Sequence, residues 1–177
     1  QEYISICQQT YFNAMRSLNP KLKHTENPVI IMDIDETVLD NSKYQIELFL
    51  NQTSYNPTTW NKWVNNEEST LVPGAKDFIL WYKNIPKSRI IYISNRDHST
   101  LQATINNMKN LGIFFEDDIF ILRKNQADTK VIRRQEVFDG SGRMKKHGPQ
   151  KIIAYFGDAM GDFPLDESYQ LSKNKFL

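Results

Sequence analysis

A chain of 177 residues, 40% of them hydrophobic, is long enough for one domain with a sizeable core and room for a small insertion. Its 22 basic residues nearly cancel its 21 acidic ones, so no global charge points to nucleic acid or to an anionic membrane surface. No apolar run approaches the length of a membrane span, and the lone Cys7 excludes an internal disulfide and a cysteine-based zinc site.

The chain opens on Gln1 rather than Met and holds no signal peptide, so a segment removed upstream is expected. Tyr3, Ile4, Cys7, Tyr11, Met15 and Leu18 recur at helical spacing and predict an amphipathic helix ended by Asn19-Pro20. Cys7 reads as a packed small apolar group on that helix. Val29–Met32 is apolar, rich in β-branched residues and too short for a helix, which predicts a buried strand. It runs directly into Asp33-Ile34-Asp35-Glu36-Thr37. Residues 42–73 mix Tyr44, Phe49, Tyr55, Trp60 and Trp63 with many Asn and Thr, and read as short helices and loops that cover something rather than as sheet.

Pro73-Gly74 is a turn before a helix carrying Ala75, Phe78, Ile79 and Tyr82. Residues 89–94 form a second strand, 100–111 a helix stopped by Gly112, and 119–122 a third strand. Asp128 is placed to cap a helix running to about Phe138. A Gly-rich basic loop spans 139–150, and a fourth strand at 151–156 runs into Gly157-Asp158. Lys175-Phe176-Leu177 is strand-like. Short apolar strands alternating with helices predict a single α/β domain, a doubly wound parallel sheet, over 1–177.

In such a sheet the carboxyl ends of the strands share one edge, where ligands bind. The first strand brings Asp33 and Asp35 to it, the second Ser94-Asn95-Arg96, and the fourth Asp158, with Asp162 one helical turn on. Carboxylates beside a buried strand are costly to desolvate without a partner. A divalent metal is the usual partner and phosphoryl chemistry the usual purpose. Asp-x-Asp alone fits an acidic turn equally well; the agreement of three strand ends is the stronger signal.

Asp33-Ile34-Asp35-Glu36-Thr37, Ser94, a lysine and Gly157-Asp158-Ala159-Met160-Gly161-Asp162, each after a strand, resemble the motifs of haloacid dehalogenase superfamily phosphohydrolases. The continuation through Val38-Leu39-Asp40-Asn41-Ser42 is similar to the class C acid phosphatases. So are Trp60-Asn61-Lys62-Trp63-Val64, Val72-Pro73-Gly74-Ala75 and Ile93-Ser94-Asn95-Arg96. These are bacterial nonspecific phosphatases typified by an outer-membrane lipoprotein that acts as a 5′-nucleotidase. The likeness runs in order from about Pro28 to Phe163.

The resemblance implies a Rossmannoid, haloacid dehalogenase-like fold with a small, mainly helical cap, about 42–73, inserted after the first strand. It implies Asp33 as a nucleophile forming an aspartyl-phosphate, and Asp35 as general acid and then base. An unperturbed Asp has a pKa of about 3.9, so acidic conditions help Asp35 load its proton. Mg²⁺ would be held by the carboxylates of Asp33 and Asp158 and the backbone carbonyl of Asp35, with Asp162 orienting a bound water. Ser94 would donate to a phosphate oxygen, with Asn95 beside it as a substrate contact. Lys130, three residues before Arg133 as in the family's Lys-x-x-Arg spacing, is favoured over Lys124 as the phosphate-binding lysine. An insertion at 139–148, either a solvated surface loop or a partner or phosphate site, accounts for the long interval from Lys130 to Asp158.

On the substrate side, Trp60 aligns with a position lining a nucleoside-base pocket, Tyr44 is a second aromatic candidate, and Trp63 reads as packing. Asn41 would either hydrogen-bond near the leaving group or cap a helix at Asn41-Ser42. His24, His98 and His147 share no metal-ligand spacing and read as surface residues. The implied partner is a small-molecule phosphomonoester, without nucleic acid and with a membrane only through a lipid anchor upstream of Gln1. The implied compartment is the bacterial periplasm or outer membrane. The family's aromatic tail falls beyond Leu177, which leaves nucleotide preference open. A non-catalytic storage or ligand-binding protein and a phosphotransferase are the alternatives on this fold. Storage relatives typically lose the nucleophile, whereas Asp33 is intact.

Overall fold

The computed structural model describes residues 1–164 and 175–176. In chain order its elements are α1 (Glu2–Leu22), β1 (Val29–Met32), β2 (Leu39–Asp40), α2 (Ser42–Leu50), α3 (Pro57–Asn65), β3 (Thr70–Leu71), α4 (Ala75–Lys83) and β4 (Arg89–Asp97). There follow α5 (Leu101–Asn110), β5 (Ile119–Arg123), α6 (Lys130–Asp139), β6 (Ile152–Phe156) and β7 (Lys175–Phe176). Strands β5-β4-β1-β6-β7 form one sheet in that order, and every pairing within it is parallel. A two-stranded antiparallel pair, β2 with β3, stands apart.

The alternation of side chains along each strand sorts the core into two layers. Ile30 and Met32 of β1, with Ile90, Tyr92, Leu122 and Phe156, join Leu18 of α1 and Phe78 and Tyr82 of α4 on one face. Val29 and Ile31, with Ile91, Ile93, Ile121 and Tyr155, join Val137 of α6 and Met144 on the other. All four β1 residues are buried, which is why the strand reads as an unbroken apolar run. Burying one such side chain is worth roughly 1.5–3 kcal/mol, so the central strand anchors both layers. Cys7 packs partly buried against the first layer.

Four local expectations are corrected. α1 does not stop at Asn19-Pro20: Pro20 lies inside it, and the helix runs on because Leu22 is buried with Leu18. Residues 42–73 are not free of sheet, since Thr70–Leu71 pairs with Leu39–Asp40. The cap of α6 is Thr129, whose hydroxyl accepts from the Ile132 N–H at 3.3 Å, and not Asp128. The 139–148 loop is not simply solvated: Lys145 and Lys146 are exposed, but Met144 is fully buried and Arg143 is folded inward. Gly140 ends α6 with φ +66°, and a side chain there would overlap the backbone at Gly148 and Pro149.

β1 pairs on both sides, so Asp33 emerges at the middle of the carboxyl edge. On its flank, β4 is irregular between Ser94 and Asp97, which leaves Asn95 exposed and Arg96 buried.

Candidate active site

Asp33 stays in the sheet's pairing, its N–H donating to the Phe156 carbonyl at 2.9 Å, so its carboxylate is fixed and buried at the strand end. Lys130, the first residue of α6, places Nζ 2.7 Å from Asp33 Oδ1 and also pairs with Asp162 Oδ1. A helix N-terminus and an ammonium thus converge where an anion would sit. Asp158 follows β6, and Asp162 closes the short helical turn Met160–Asp162, its Oδ2 accepting from the Ala159 N–H at 3.0 Å. A side chain on Gly157 would overlap the Asp162 carboxylate, so the missing Cβ is what lets that group fold back over the strand end.

Carboxylate oxygens of Asp33, Asp158 and Asp162 lie within 4.8 Å of one another. Burial pushes the Asp33 carboxyl up to about 8, with Asp162 and Asp35 adding to the rise and Lys130 opposing it. Burial and then Asp162 raise Asp158 as well. Three carboxylates around one ammonium leave an excess of negative charge in a partly dry site. An all-oxygen donor set with that excess fits a hard divalent cation. Asp33 and Asp158 would be its carboxylate ligands, with Asp162 adjoining. The Asp35 carboxylate is outside this cluster.

The Asp35 carboxylate has partners of its own. Oδ1 accepts from Arg96 Nε at 2.9 Å and from Asn41 Nδ2 at 3.0 Å, and Oδ2 from the Ser94 hydroxyl at 3.2 Å. Ser94 was expected to face a phosphate. It is fully buried, and its hydroxyl is turned to Asp35 because the β4 irregularity also brings the Arg96 N–H onto it at 3.1 Å. Asn41 was expected at the leaving group or as a helix cap. It stands at the N-cap position of α2, but its side chain makes no cap bond; it is fully buried, and its amide oxygen accepts from Trp63 Nε1 at 2.9 Å and the Ser69 hydroxyl at 2.7 Å while Nδ2 reaches Asp35. It also donates to Glu36, a residue held at φ +57°, so it locks the turn that carries Asp35. Tyr44 was expected to touch substrate. It is 2% exposed, edge-on to Trp60 at 5.1 Å between ring centroids and bonded to the Thr59 hydroxyl at 3.0 Å, so it packs α2 against α3.

Trp60 is half-buried between Tyr44, Tyr55 and the Arg96 guanidinium, which lies 5.9 Å from its ring centroid. Trp63 is packed, as its position suggested. Arg96 is a participant that its motif alone does not single out: an arginine following a strand-end serine and amide is a buried cation placed for a carboxylate.

A second network fixes the lysine. Arg133, fully buried, donates to the Ser94 carbonyl at 2.5 Å, to Asn95 Oδ1 at 2.6 Å and to the Asp128 carbonyl at 3.1 Å. Asp128 receives Arg143 through two bonds of 2.8 and 2.9 Å, and Arg143 also reaches Glu136 at 2.6 Å. The insertion loop thereby ties down the β5–α6 turn from which Lys130 projects. Lys124 gives that turn only its backbone N–H, to Asp128 at 2.9 Å, and its side chain is exposed. Burial pushes Asp128 up, but the Arg143 bonds and the Lys124 N–H outweigh it and bring the group down to about 2. A depressed carboxyl stabilises the fold above its unfolded value of 3.8 and loses that contribution as pH falls through about 2. Arg143→Ala is therefore expected to lower the melting temperature at pH 5 and to narrow the difference from the unaltered protein on acidification. A constant difference across a pH series of melting curves would argue against the clamp.

Asp33, Asp35, Asn95, Lys130, Asp158 and Asp162 all border one cavity of about 570 Å³. Trp60, Tyr44, Asn41 and Ser94 are not on its wall.

Residues 1–175 match the family model of the HAD superfamily, subfamily IIIB (acid phosphatase). Among solved structures, the class C acid phosphatase from Bacillus anthracis with tungstate bound is 30% identical with a TM-score of 0.75, over 93% of this chain and 66% of that one. A second structure of the Bacillus anthracis class C enzyme gives 29% identity and the same TM-score. Vegetative storage protein 1 of Arabidopsis thaliana is 25% identical over 147 residues, 82% of this chain and 52% of that protein, so the chain spans about half the length of that relative. The two-layered parallel fold and the match over nearly its whole length show that the chain belongs to the acid phosphatases of HAD superfamily subfamily IIIB.

Proposed function

We propose that this protein is a Mg²⁺-dependent acid phosphatase that hydrolyses phosphomonoesters through an aspartyl-phosphate on Asp33, with Asp35 as general acid and base. The observation that carries this reading is the Lys130 ammonium held between Asp33 and Asp162, with Asp158 in the same carboxylate cluster. The tungstate in the Bacillus anthracis relative, a tetrahedral oxyanion of phosphate's shape, supports it.

An Asp33 carboxylate oxygen attacks phosphorus, and the bond from phosphorus to the leaving oxygen breaks. That oxygen takes a proton from Asp35. Arg96 and Asn41 both hold Oδ1, so Oδ2, which meets only the Ser94 hydroxyl, is the oxygen free to carry the proton. Asp35 then accepts a proton from the water that attacks phosphorus, the Asp33–phosphorus bond breaks, and orthophosphate leaves with Asp33 restored. Lys130 and the N-terminus of α6 neutralise charge on the phosphoryl oxygens throughout. Mg²⁺, held by Asp33, Asp158 and the Asp35 carbonyl, would keep Asp33 ionised against its burial and share the phosphoryl charge.

Nucleoside 5′-monophosphates are the narrower substrate class; the half-buried ring of Trp60 beside Arg96 lies off the cavity wall and would meet the base from the cap side. Stacking of a base on such a ring is worth about 1–3 kcal/mol. The α2–α3 segment would act as the cap, and the bacterial periplasm or outer membrane belongs to the same reading. The storage alternative gains from the Arabidopsis relative and loses from the intact Asp33, Asp35, Lys130 and Asp158.

The deciding assay is turnover of p-nitrophenyl phosphate and nucleoside monophosphates at about pH 5–6, on the acid side of neutrality where a carboxyl general acid is best loaded. EDTA is expected to abolish turnover and added Mg²⁺ to restore it; indifference to EDTA would sink the mechanism. Trp60→Ala is expected to lower the preference for nucleotides over p-nitrophenyl phosphate by about tenfold, in line with one lost stacking contact.

A further inference from the structure

We infer that the cavity contains, beyond the phosphoryl position, a second anion subsite built on Arg123, and that the protein favours phosphomonoesters whose leaving group carries a carboxylate or a second phosphate. This rests on the phosphatase reading and narrows its substrate class.

The cavity, at about 570 Å³, is far larger than one phosphoryl group, and from the Asp33 end it extends along the β5–α6 turn to Arg123 and Gln126. It does not extend over the aromatic cluster of α2 and α3, because neither Trp60 nor Tyr44 borders it. A leaving group that lies along this part of the cavity, rather than toward Trp60, meets the polar groups Asn95, Gln126 and Thr129 together with one guanidinium.

The charge of that wall is set by which groups are already paired. Asp128 is its acid, and Arg143 holds both of its oxygens, with Arg133 Nε at 3.6 Å. Asp97, the cross-strand neighbour of Arg123, feels the guanidinium's charge but gives its hydrogen bonds to the Ser99 N–H and hydroxyl at 2.8 and 2.6 Å, outside ion-pair contact. Among the described residues, Arg123 has no carboxylate within ion-pair distance, and it is only half-exposed. A guanidinium with no carboxylate in ion-pair contact, on the wall of the cavity that also holds Asp33 and Lys130, presents the planar fork that binds carboxylate or phosphate through two hydrogen bonds. Two cations on the wall of one cavity, Lys130 and Arg123, match a substrate with two anionic groups.

The test compares phenyl phosphate with 3- and 4-carboxyphenyl phosphate and with 1,4-phenylene bisphosphate, for the unaltered protein, Arg123→Ala, Arg123→Lys and Lys124→Ala. Arg123→Ala is expected to lower kcat/KM for at least one doubly anionic ester by roughly tenfold more than for phenyl phosphate, through KM, with partial rescue in Arg123→Lys. The carboxylate and bisphosphate arms show which anion the subsite takes. Lys124→Ala removes a neighbouring exposed charge and is expected to leave the ratio unchanged. Equal losses on all esters, or the same shift in Lys124→Ala, would overturn the subsite. Failure of the unaltered protein to turn over phenyl phosphate would count against the phosphatase reading instead. The subsite is then decided by calorimetric titration of the same esters, where equal affinities for the unaltered protein and Arg123→Ala would overturn it.

Discussion

Asp33→Asn is expected to lower turnover of p-nitrophenyl phosphate by on the order of 10⁴–10⁶-fold, the range seen when a covalent catalytic unit loses a member. The amide keeps the shape of the carboxylate but cannot form the phosphoenzyme. Folding should survive the change, because the native carboxylate is itself a burden. Burial lifts it from 3.8 to about 8, so the folded state holds this proton more tightly than the unfolded chain does. Stability contributed by Asp33 is therefore present at acid pH and is lost as pH rises from about 4 to about 8. In EDTA the melting temperature of the unaltered protein should fall across that window, and Asp33→Asn should flatten the fall. Turnover within tenfold of the unaltered protein would remove Asp33 from the mechanism, whatever the melting curves show.

The sheet was legible because its strands are buried on both faces, and a run such as Val29–Met32 has no polar residue to disguise it. The strand-end acids were legible because topology alone places them on one edge. Several local features were not. Pro20 breaks a helical pattern in sequence, but the burial of Leu22 decides where α1 ends. Asp128 has the composition of a helix cap, yet a loop that follows the helix supplies Arg143 and claims it. Asn41, Tyr44 and Ser94 carry polar atoms near the site in sequence. Whether those atoms face a ligand or a neighbour depends on partners as far away as Trp63, Thr59 and Asp35. Arg96 was hidden for the same reason: its role depends on a carboxylate 61 positions earlier in the chain.

Lys130→Ala is expected to lower turnover by on the order of 10²–10³-fold, as for removal of one preorganised donor to a developing oxyanion, while Lys124→Ala stays near the unaltered rate. The two lysines differ in what they reach. Lys130 spans Asp33 and Asp162 from the start of α6, whereas the Lys124 side chain is exposed and off the cavity wall. A loss of activity alone would not separate a phosphate-binding lysine from a structural one, but two ligands do. Without Lys130, no cation among the described residues stands between the carboxylates of Asp33, Asp158 and Asp162, so a divalent cation should bind at least as tightly as before and should raise the melting temperature more than it does in the unaltered protein. Tungstate, which needs the ammonium, should bind more weakly. Asp158→Asn is expected to do the reverse to the cation, weakening it directly through loss of a carboxylate. A Lys130→Ala protein that loses divalent-cation and tungstate binding together would show that the lysine only holds the acidic cluster in place. Loss of tungstate alone would establish that it meets the phosphoryl group.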